Sequence, residues 1–327
     1  MRKVRRLILF SVLTAFLLLI VYTIWDNNRI VIVKEDIIIS NLPEKLENFK
    51  ILQISDLHEK EFGKNQKGLI EKINNIDYDV IVFTGDILVD PESTHYESFY
   101  TLLEGINNKE NVLFVPGNSD PPSYQVTPSF GTSAFISGME DRGVRFLESF
   151  DTIDVGGESI HFVNLELSII ENPEQIGSVN GSFKPFYASD DKYQAHQKDL
   201  WEDMMYQDIL SSTDVIIAIN HYPVPDPRID YIQNDPATAW RDFDLIIAGH
   251  YHGGQIRLPF LGSFFIPEPW YKPNSFFPPQ DRVKGLWEYD GMKQYVSAGL
   301  GSSEAISFFN FRLFNPPEIN VLTLKKQ

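Results

Sequence analysis

The sequence predicts one mixed α/β domain behind a membrane anchor. Two observations lead to this prediction: from residue 50 to residue 118, apolar strands alternate with helices, and an uncharged apolar run precedes them. A chain of 327 residues can bury a sizeable core, and no repeat, low-complexity run or long linker divides its body. We therefore expect an anchor over 1–25, an exposed stretch over 26–47 and a single domain over 48–327.

The N-terminus has the features of an uncleaved signal anchor. The basic residues of MRKVRR precede an uncharged run over 7–25, LILFSVLTAFLLLIVYTIW. As a helix this run would be about 28 Å long, which is close to the hydrocarbon core of a bilayer. Basic residues favour the cytoplasmic side, and the bulky exit offers no small-residue cleavage site. We expect a single-pass cell-membrane protein with an extracytoplasmic domain. Arg5-Arg6 also resembles a twin-arginine export signal, but we interpret the pair as topology charge.

The body continues with elements of ordinary length. Helical spacing of apolar residues predicts helices over 65–76, 96–108 and 193–210. Apolar runs predict strands over 31–40, 50–55, 79–86, 111–118, 214–220 and 244–249, with further strands near the C-terminus. Between 144 and 167, short strand-like pieces split by Gly156 and Gly157 predict an antiparallel meander.

Composition excludes several classes of function. The chain has 28 lysines and arginines against 45 aspartates and glutamates. Because an acidic body is repelled by nucleic-acid backbones, no nucleic-acid partner is expected. The absence of cysteine excludes disulfides, zinc–thiolate sites and cysteine nucleophiles.

Metal-binding residue types follow each of the main buried strands. They are Asp56, His58, Asp86, Asn118, His221, His250 and His252. Ligands in open α/β sheets bind beyond the carboxyl ends of strands, so these side chains are expected to converge. Carboxylate, imidazole and amide donors suit Mn, Fe or Zn. Seven ligands are too many for one tetrahedral site, which favours two divalent metal ions sharing a carboxylate.

The motifs DLH, TGD, PGNSD, NH and GHYHGGQ occur in this order between about residues 48 and 300. In this set the chain resembles the calcineurin-like metallophosphoesterase family. GHYHGGQIRLP, YVSAGLG and the N-terminal run resemble its branch of membrane-anchored bacterial phosphoesterases, some of which act on lipid-linked diphosphates. The resemblance implies a four-layer α/β sandwich, in which two mixed β-sheets are flanked by helices.

The resemblance also implies a role for each ligand. Asp56, His58 and His252 would hold the first metal, and Asp86 would bridge both ions. The second metal would be held by Asn118, His221 and His250. A bridging hydroxide would then attack phosphorus in line with the departing oxygen.

The segment Asn118-Ser119-Asp120 is expected to be catalytic, and it departs from the family pattern. Ser119 stands where the family usually has a histidine that protonates the leaving group or steadies the phosphate. A serine hydroxyl is no general acid near neutral pH. The lack of a general acid could lower the rate on the order of 10²–10⁴-fold for a poor leaving group. This favours phosphodiesters or diphosphates over alkyl monoesters. His95, in the loop after Asp86, is a candidate substitute acid.

The loop PFLGSFFIPEPWYKPNSFFPP (259–279) is rich in aromatic residues and proline. It could pack on the core, or it could form a hydrophobic lip that touches lipid or an acyl chain. Trp270 and Phe276 are the residues that test this alternative.

These observations together predict an extracytoplasmic, dinuclear phosphoesterase acting on a small-molecule or lipid-linked phosphate. The alternatives are a phosphomonoesterase and a catalytically degenerate metal-binding module. Because every expected ligand position is filled, the degenerate module is disfavoured.

Overall fold

Two six-stranded sheets form the centre of the protein. The computed structural model describes residues 2–177, 179, 184–209, 214–271, 276–303 and 310–327. Its α-helices are α1 Arg2–Asn28, α2 Lys67–Asn74, α3 Glu97–Gly105, α4 Ala134–Glu140, α5 Leu165–Ser168, α6 Asp191–Tyr206 and α7 Asp226–Asn234.

The strands are short, and most contain β-branched or aromatic residues. In chain order they are β1 Val31–Ile39, β2 Lys50–Ile54, β3 Val80–Phe83, β4 Val112–Phe114, β5 Tyr124–Gln125, β6 Gly131–Thr132, β7 Arg145–Phe146, β8 Phe150–Val155, β9 Glu158–Asn164, β10 Val215–Ile219, β11 Leu245–Ala248, β12 Arg257–Leu258, β13 Gly262–Ser263, β14 Gly285–Tyr289, β15 Met292–Val296 and β16 Glu318–Lys326.

The first sheet has the order β1-β16-β2-β3-β4-β7. Its pairs are parallel except for β16 with β2, which is antiparallel. Residues 26–47 therefore contribute an edge strand, since β1 pairs with β16 along its whole length.

The second sheet has the order β14-β15-β11-β10-β9-β8. Its inner pairs, β15 with β11, β11 with β10 and β10 with β9, are parallel. Its two outer pairs are antiparallel. Strands β2, β3, β10 and β11 thus lie inside their sheets, where both faces are covered.

The helices cover the outer faces of the two sheets, and the sheets bury their inner faces against each other. The layer between the sheets includes Ile37, Ile51, Val82, Ile160, Ile217 and Ile247, which are fully buried. On the first sheet, α2, α3 and α4 insert Leu69, Ile73, Phe99, Leu103, Phe135 and Met139. On the second sheet, α5, α6 and α7 insert Leu167, Met204, Ile229 and Ile232. The expected four-layer α/β sandwich with two mixed sheets is confirmed.

The predicted meander between 144 and 167 is wrong in one part. β8 and β9 do form an antiparallel hairpin, but β7 joins the other sheet, parallel to β4. A strand of two residues carries no periodicity, so its sheet partner could not be read from local sequence. The three predicted helices are confirmed, each somewhat shorter than predicted. The third begins two residues before its predicted start, and its predicted last residue, 210, lies outside the described residues.

Among the described helices, α1 alone is long and apolar enough to cross a membrane. Its apolar window has a mean hydropathy of 2.7 and is not buried against the rest of the protein. A removable signal sequence meets the same criteria, so this helix is either a single-pass anchor or a signal.

Candidate metal centre

Five residues of the centre adopt left-handed backbone conformations directly after buried strands. They are Asp56, His58, Asp86, His250 and His252, with φ between 45° and 66°. This region is unfavourable for residues other than glycine, but it turns the chain sharply and directs each side chain across the strand ends. The loops after β2, β3 and β11 thereby present their polar side chains to one point.

The structure brings six of the predicted residues into two adjacent groups. Asp56, His58, Asp86 and His252 offer ligand atoms that lie within 4.8 Å of one another. His221 and His250 form a second such group, again with Asp86. The Asp86 Oδ2 atom lies 3.4 Å from His58 Nε2 and 3.4 Å from His221 Nε2, so one carboxylate faces both groups.

The hydrogen bonds of two histidines fit metal binding. His221 Nδ1 donates to the carbonyl of Thr84 at 2.8 Å, and His250 Nε2 donates to the carbonyl of Pro267 at 3.3 Å. Their other ring nitrogens lie 3.1 Å apart, and these are the atoms that each ring in its neutral form would offer to a metal ion. A divalent cation would satisfy both. The buried Asn118 Oδ1 atom also has no hydrogen-bond donor among the residues that the structure describes, and an amide oxygen is a ligand for such a cation.

Burial and close charges shift the ionisation of this cluster. Burial raises the pKa of Asp56 to about 7. Burial also opposes the charge of Asp86, but the His221 and His58 imidazoles hold the pKa of that carboxyl below its usual range. The pKa of His221 rises to about 9, because Asp86 outweighs the burial of the ring. Burial and the neighbouring His221 lower the pKa of His250 to about 3.

Ser119 and Asp120 hold the Asp86 loop. Ser119 donates its backbone N–H to Asp86 Oδ1 at 2.7 Å and its hydroxyl to Asp86 Oδ2 at 3.2 Å. The Asp120 carboxylate accepts four backbone N–H groups, at 2.8 to 3.2 Å. The donors are Asp86, Ile87, Leu88 and Gly117. Both oxygens of Asp120 are therefore engaged with backbone.

Two glycines of the motifs lie so close to neighbouring side chains that no other residue would fit there. A Cβ atom at Gly117 would lie 2.2 Å from Asp86 Oδ1, and one at Gly249 would lie 2.0 Å from Ser55 Oγ. Ser55 in turn donates to Asp56 Oδ2 at 2.5 Å. Sequence reasoning missed Ser55 and the Thr84 carbonyl, although both lie next to a predicted ligand or strand end.

The remaining histidines lie apart from these two groups. The side chain of His95 is 80% exposed, and its Nδ1 lies 3.2 Å from Glu59 Oε2. His161 pairs with Asp214, and His196 pairs with Glu148.

A cavity of about 340 Å³ opens beside the centre. Its lining includes Gly117 and Asp120, which lie before and after Asn118 in the chain, and Asn220 and Tyr222, which flank His221. The Tyr222 ring centroid lies 4.5 Å from that of His250. The rest of the lining is largely apolar and includes Phe146, Leu167, Ile170 and Tyr187.

Comparison with known proteins agrees with this geometry. The calcineurin-like phosphoesterase family profile matches residues 49–254, the part of the chain that carries every predicted ligand. A metallophosphoesterase of Bacillus subtilis, YkuE, is 27% identical over 88% of this chain and 82% of its own length. LpxG of Chlamydia trachomatis, a UDP-2,3-diacylglucosamine pyrophosphatase, is 26% identical over 85% of each chain. The phosphodiesterase YaeI of Escherichia coli is 34% identical over 30% of this chain and 32% of its own.

The fold, the buried Asp/His cluster and these relatives define a metal-dependent phosphoester hydrolase. The chain belongs to the calcineurin-like phosphoesterase family.

Proposed function

We propose that this protein is a membrane-anchored, extracytoplasmic enzyme that hydrolyses a phosphodiester or diphosphate, with two divalent metal ions at its centre. The observation that supports this most directly is the position of Asp86 between two groups of ligand atoms. One carboxylate that faces two groups is the arrangement that suits a pair of ions.

The ligand sets follow from the two groups. Asp56, His58 and His252 would hold one ion, and His221, His250 and Asn118 would hold the other. Asp86 would be shared by the two ions. The donors suit Mn, Fe or Zn. Ions held there would lower the pKa of water and neutralise charge on the phosphoryl group.

The protein's own groups prepare this site. The Thr84 and Pro267 carbonyls fix the tautomers of His221 and His250, so that lone pairs rather than N–H groups face the centre. Asp120 fixes the loop that carries Asp86, and Ser119 holds the Asp86 carboxylate itself. We assign Asp120 a positioning role, because its oxygens are already bound to backbone.

The leaving group is expected to be a weak base. The hydroxyl of Ser119, at the family's usual histidine position, is bonded to Asp86 and has no acidic proton near neutral pH. A diphosphate or an activated diester needs less protonation than an alkyl monoester does. LpxG is a pyrophosphatase and YaeI a phosphodiesterase by name, which agrees with this choice.

The surroundings of the centre favour a substrate with an apolar part. The cavity beside it is mostly apolar, and Phe260, Leu261, Phe264, Phe276 and Phe277 form an exposed apolar lip on the loop after His252. An Ile256–Leu313 bridge joins this loop to the segment whose Phe314 ring lies 5.4 Å from Tyr22 of α1. Because Phe264 of the lip bonds to Ile256, the base of the lip is joined to the segment that contacts α1, and its exposed rings suit contact with lipid.

The first test compares two model substrates on the full chain in detergent, freed of metal and reloaded with Mn²⁺. We expect hydrolysis of bis(nitrophenyl) phosphate to exceed that of nitrophenyl phosphate. The Asp86→Ala variant should lose both activities, because both ligand groups lose their shared carboxylate.

Two other results would change the proposal. Preference for the monoester would favour a phosphomonoesterase with another proton donor, and His95→Ala would then test His95. No metal-dependent turnover of either compound would favour a degenerate metal-binding module.

A further inference from the structure

Arg312 is a completely buried arginine whose guanidinium is bound to backbone carbonyls. It donates to Asn315 at 2.8 Å, to Gly301 at 2.7 Å, to Ala298 at 2.6 Å and to His252 at 3.1 Å. Burial lowers the pKa of Arg312 to about 10, so it remains charged at neutral pH. Burying a charge is costly unless the group is hydrogen-bonded. The planar guanidinium of Arg312 donates to four carbonyls and thereby fixes the loops that carry them.

One of these carbonyls belongs to a residue of the metal centre. The His252 carbonyl accepts from both Arg312 and Asn315, the latter at 2.7 Å. His252 has a left-handed φ of 51°, which is unfavourable for a residue with a side chain. Two donors on its carbonyl hold the peptide in the orientation that points the imidazole at Asp56 and His58.

The other side of Arg312 is bound to the last turn of α1. Asn27 Nδ2 donates to the Arg312 carbonyl at 2.6 Å, and the Arg312 N–H donates to Asn27 Oδ1 at 2.8 Å. Lys60, two residues after His58, donates its ammonium to the Asn27 carbonyl at 2.6 Å. One residue of α1 therefore contacts both the loop that follows His58 and the arginine that binds the His252 carbonyl.

The end of α1 is built into the domain. The Asp26 side chain is completely buried and pairs with Arg29 at 2.7 Å. The Tyr22 ring packs 5.4 Å from that of Phe314. A flexible tether would show none of these contacts.

We propose that Arg312 is a positioning residue for His252, and that Asn27 at the end of α1 holds Arg312 in place. The membrane helix and the metal centre would then form one continuous unit. This inference rests on the proposed function, in which His252 is a metal ligand.

The experiment measures Mn²⁺ binding by calorimetric titration of the full chain in detergent, together with thermal unfolding of the metal-free protein. Arg312→Lys keeps the charge but loses the planar guanidinium with its several donors. We expect the Mn²⁺ affinity of this variant to fall about 10- to 100-fold, which is typical when a residue that supports a metal ligand is replaced. Asn27→Ala should lower the affinity about tenfold, with metal-free unfolding near that of the wild type. The matched control is Asn28→Ala, because the exposed Asn28 side chain donates within the helix, to Ile24, and to no other residue of the described part of the chain; the Mn²⁺ affinity of this variant should not change.

The outcomes separate this inference from the proposed function. If the wild type binds Mn²⁺ and Asn27→Ala binds it equally well, the inference is overturned and the metal centre stands. If the wild type binds no Mn²⁺, both are overturned. Should Arg312→Lys fail to fold, Asn27→Ala against Asn28→Ala decides alone.

Discussion

At the scale of single residues, the centre depends on backbone conformations that its own side chains disfavour. Asp56, His58, Asp86, His250 and His252 all have positive φ, a conformation that costs of order 1 kcal/mol or more for each residue. The identities of these residues could be predicted, because Asp and His after buried strands are unusual. Their conformations could not, because they are imposed by partners distant in sequence, such as Asp120.

Asp120→Asn tests this support. An amide offers one accepting oxygen instead of two, so at least one pair of the N–H groups from Asp86, Ile87, Leu88 and Gly117 loses its acceptor. We expect the free energy of unfolding to fall by about 1–3 kcal/mol for each buried donor left unpaired, with weaker Mn²⁺ binding. Urea unfolding measures the first effect and titration the second. Asp141→Asn, at an exposed position, is the control; equal stability of the two variants would refute the positioning role.

At the scale of elements, strands were easier to predict than their partners. The strands ending at Phe83, Ile219 and Ala248 are apolar over their whole length, and the strand ending at Ile54 is mostly apolar, which is typical of strands buried on both faces. The pairing of β1 with β16 joins residues nearly 290 positions apart, and no local pattern encodes it. The aromatic loop was ambiguous for a related reason: apolar composition does not say which side chains face water.

The structure divides that loop into two parts. Trp270 is half-buried and its ring lies 5.6 Å from that of Tyr231 on α7, so it packs on the domain. Phe260 and Phe276 are exposed, and residues 272–275 of the loop lie outside the described residues. Packing on the domain therefore accounts for Trp270, whereas it does not account for the exposed rings of the apolar lip.

Serine substitutions in the lip should separate lipid from soluble substrates. We expect Phe260→Ser with Phe276→Ser to lower the rate on a lipid diphosphate in vesicles several-fold, with little change on bis(nitrophenyl) phosphate, because burial of each ring in lipid is lost. Tyr206→Ser is the control, since this exposed aromatic residue lies outside the lip. An unchanged ratio of the two rates would rule out contact between the lip and the substrate's bilayer.

At the scale of the whole molecule, the chain is acidic, with a formal net charge of −17, and the metal centre buries two of its carboxylates, Asp56 and Asp86. Ligands from both sheets meet there, because the loops after β2 and β3 belong to the first sheet and those after β10 and β11 to the second. Ions bound between them would link the two sheets. Metal content should therefore affect global stability as well as activity.

Removal of metal tests this link. Chelation of the purified full chain should lower the midpoint of thermal unfolding by several degrees, because a ligand at 100 times its dissociation constant stabilises the folded state by about 2.7 kcal/mol. Adding Mn²⁺ should restore the midpoint in the wild type. The Asp86→Ala variant should show no such recovery, and recovery equal to the wild type would place the ion elsewhere.

The position of β16 has a consequence for how the protein is made. This strand, from Glu318 to Lys326, lies between β1 and β2 and pairs with both. β1 and β2 are synthesised early, but the strand that joins them follows only after all the strands of the second sheet. Until then β2, which leads to Asp56 and His58, lacks one neighbour, and its apolar edge is open to wrong pairing. The first sheet can therefore close only after the strands of the second sheet have been made, and a metal ion held by Asp56 and His58 would be bound after that step.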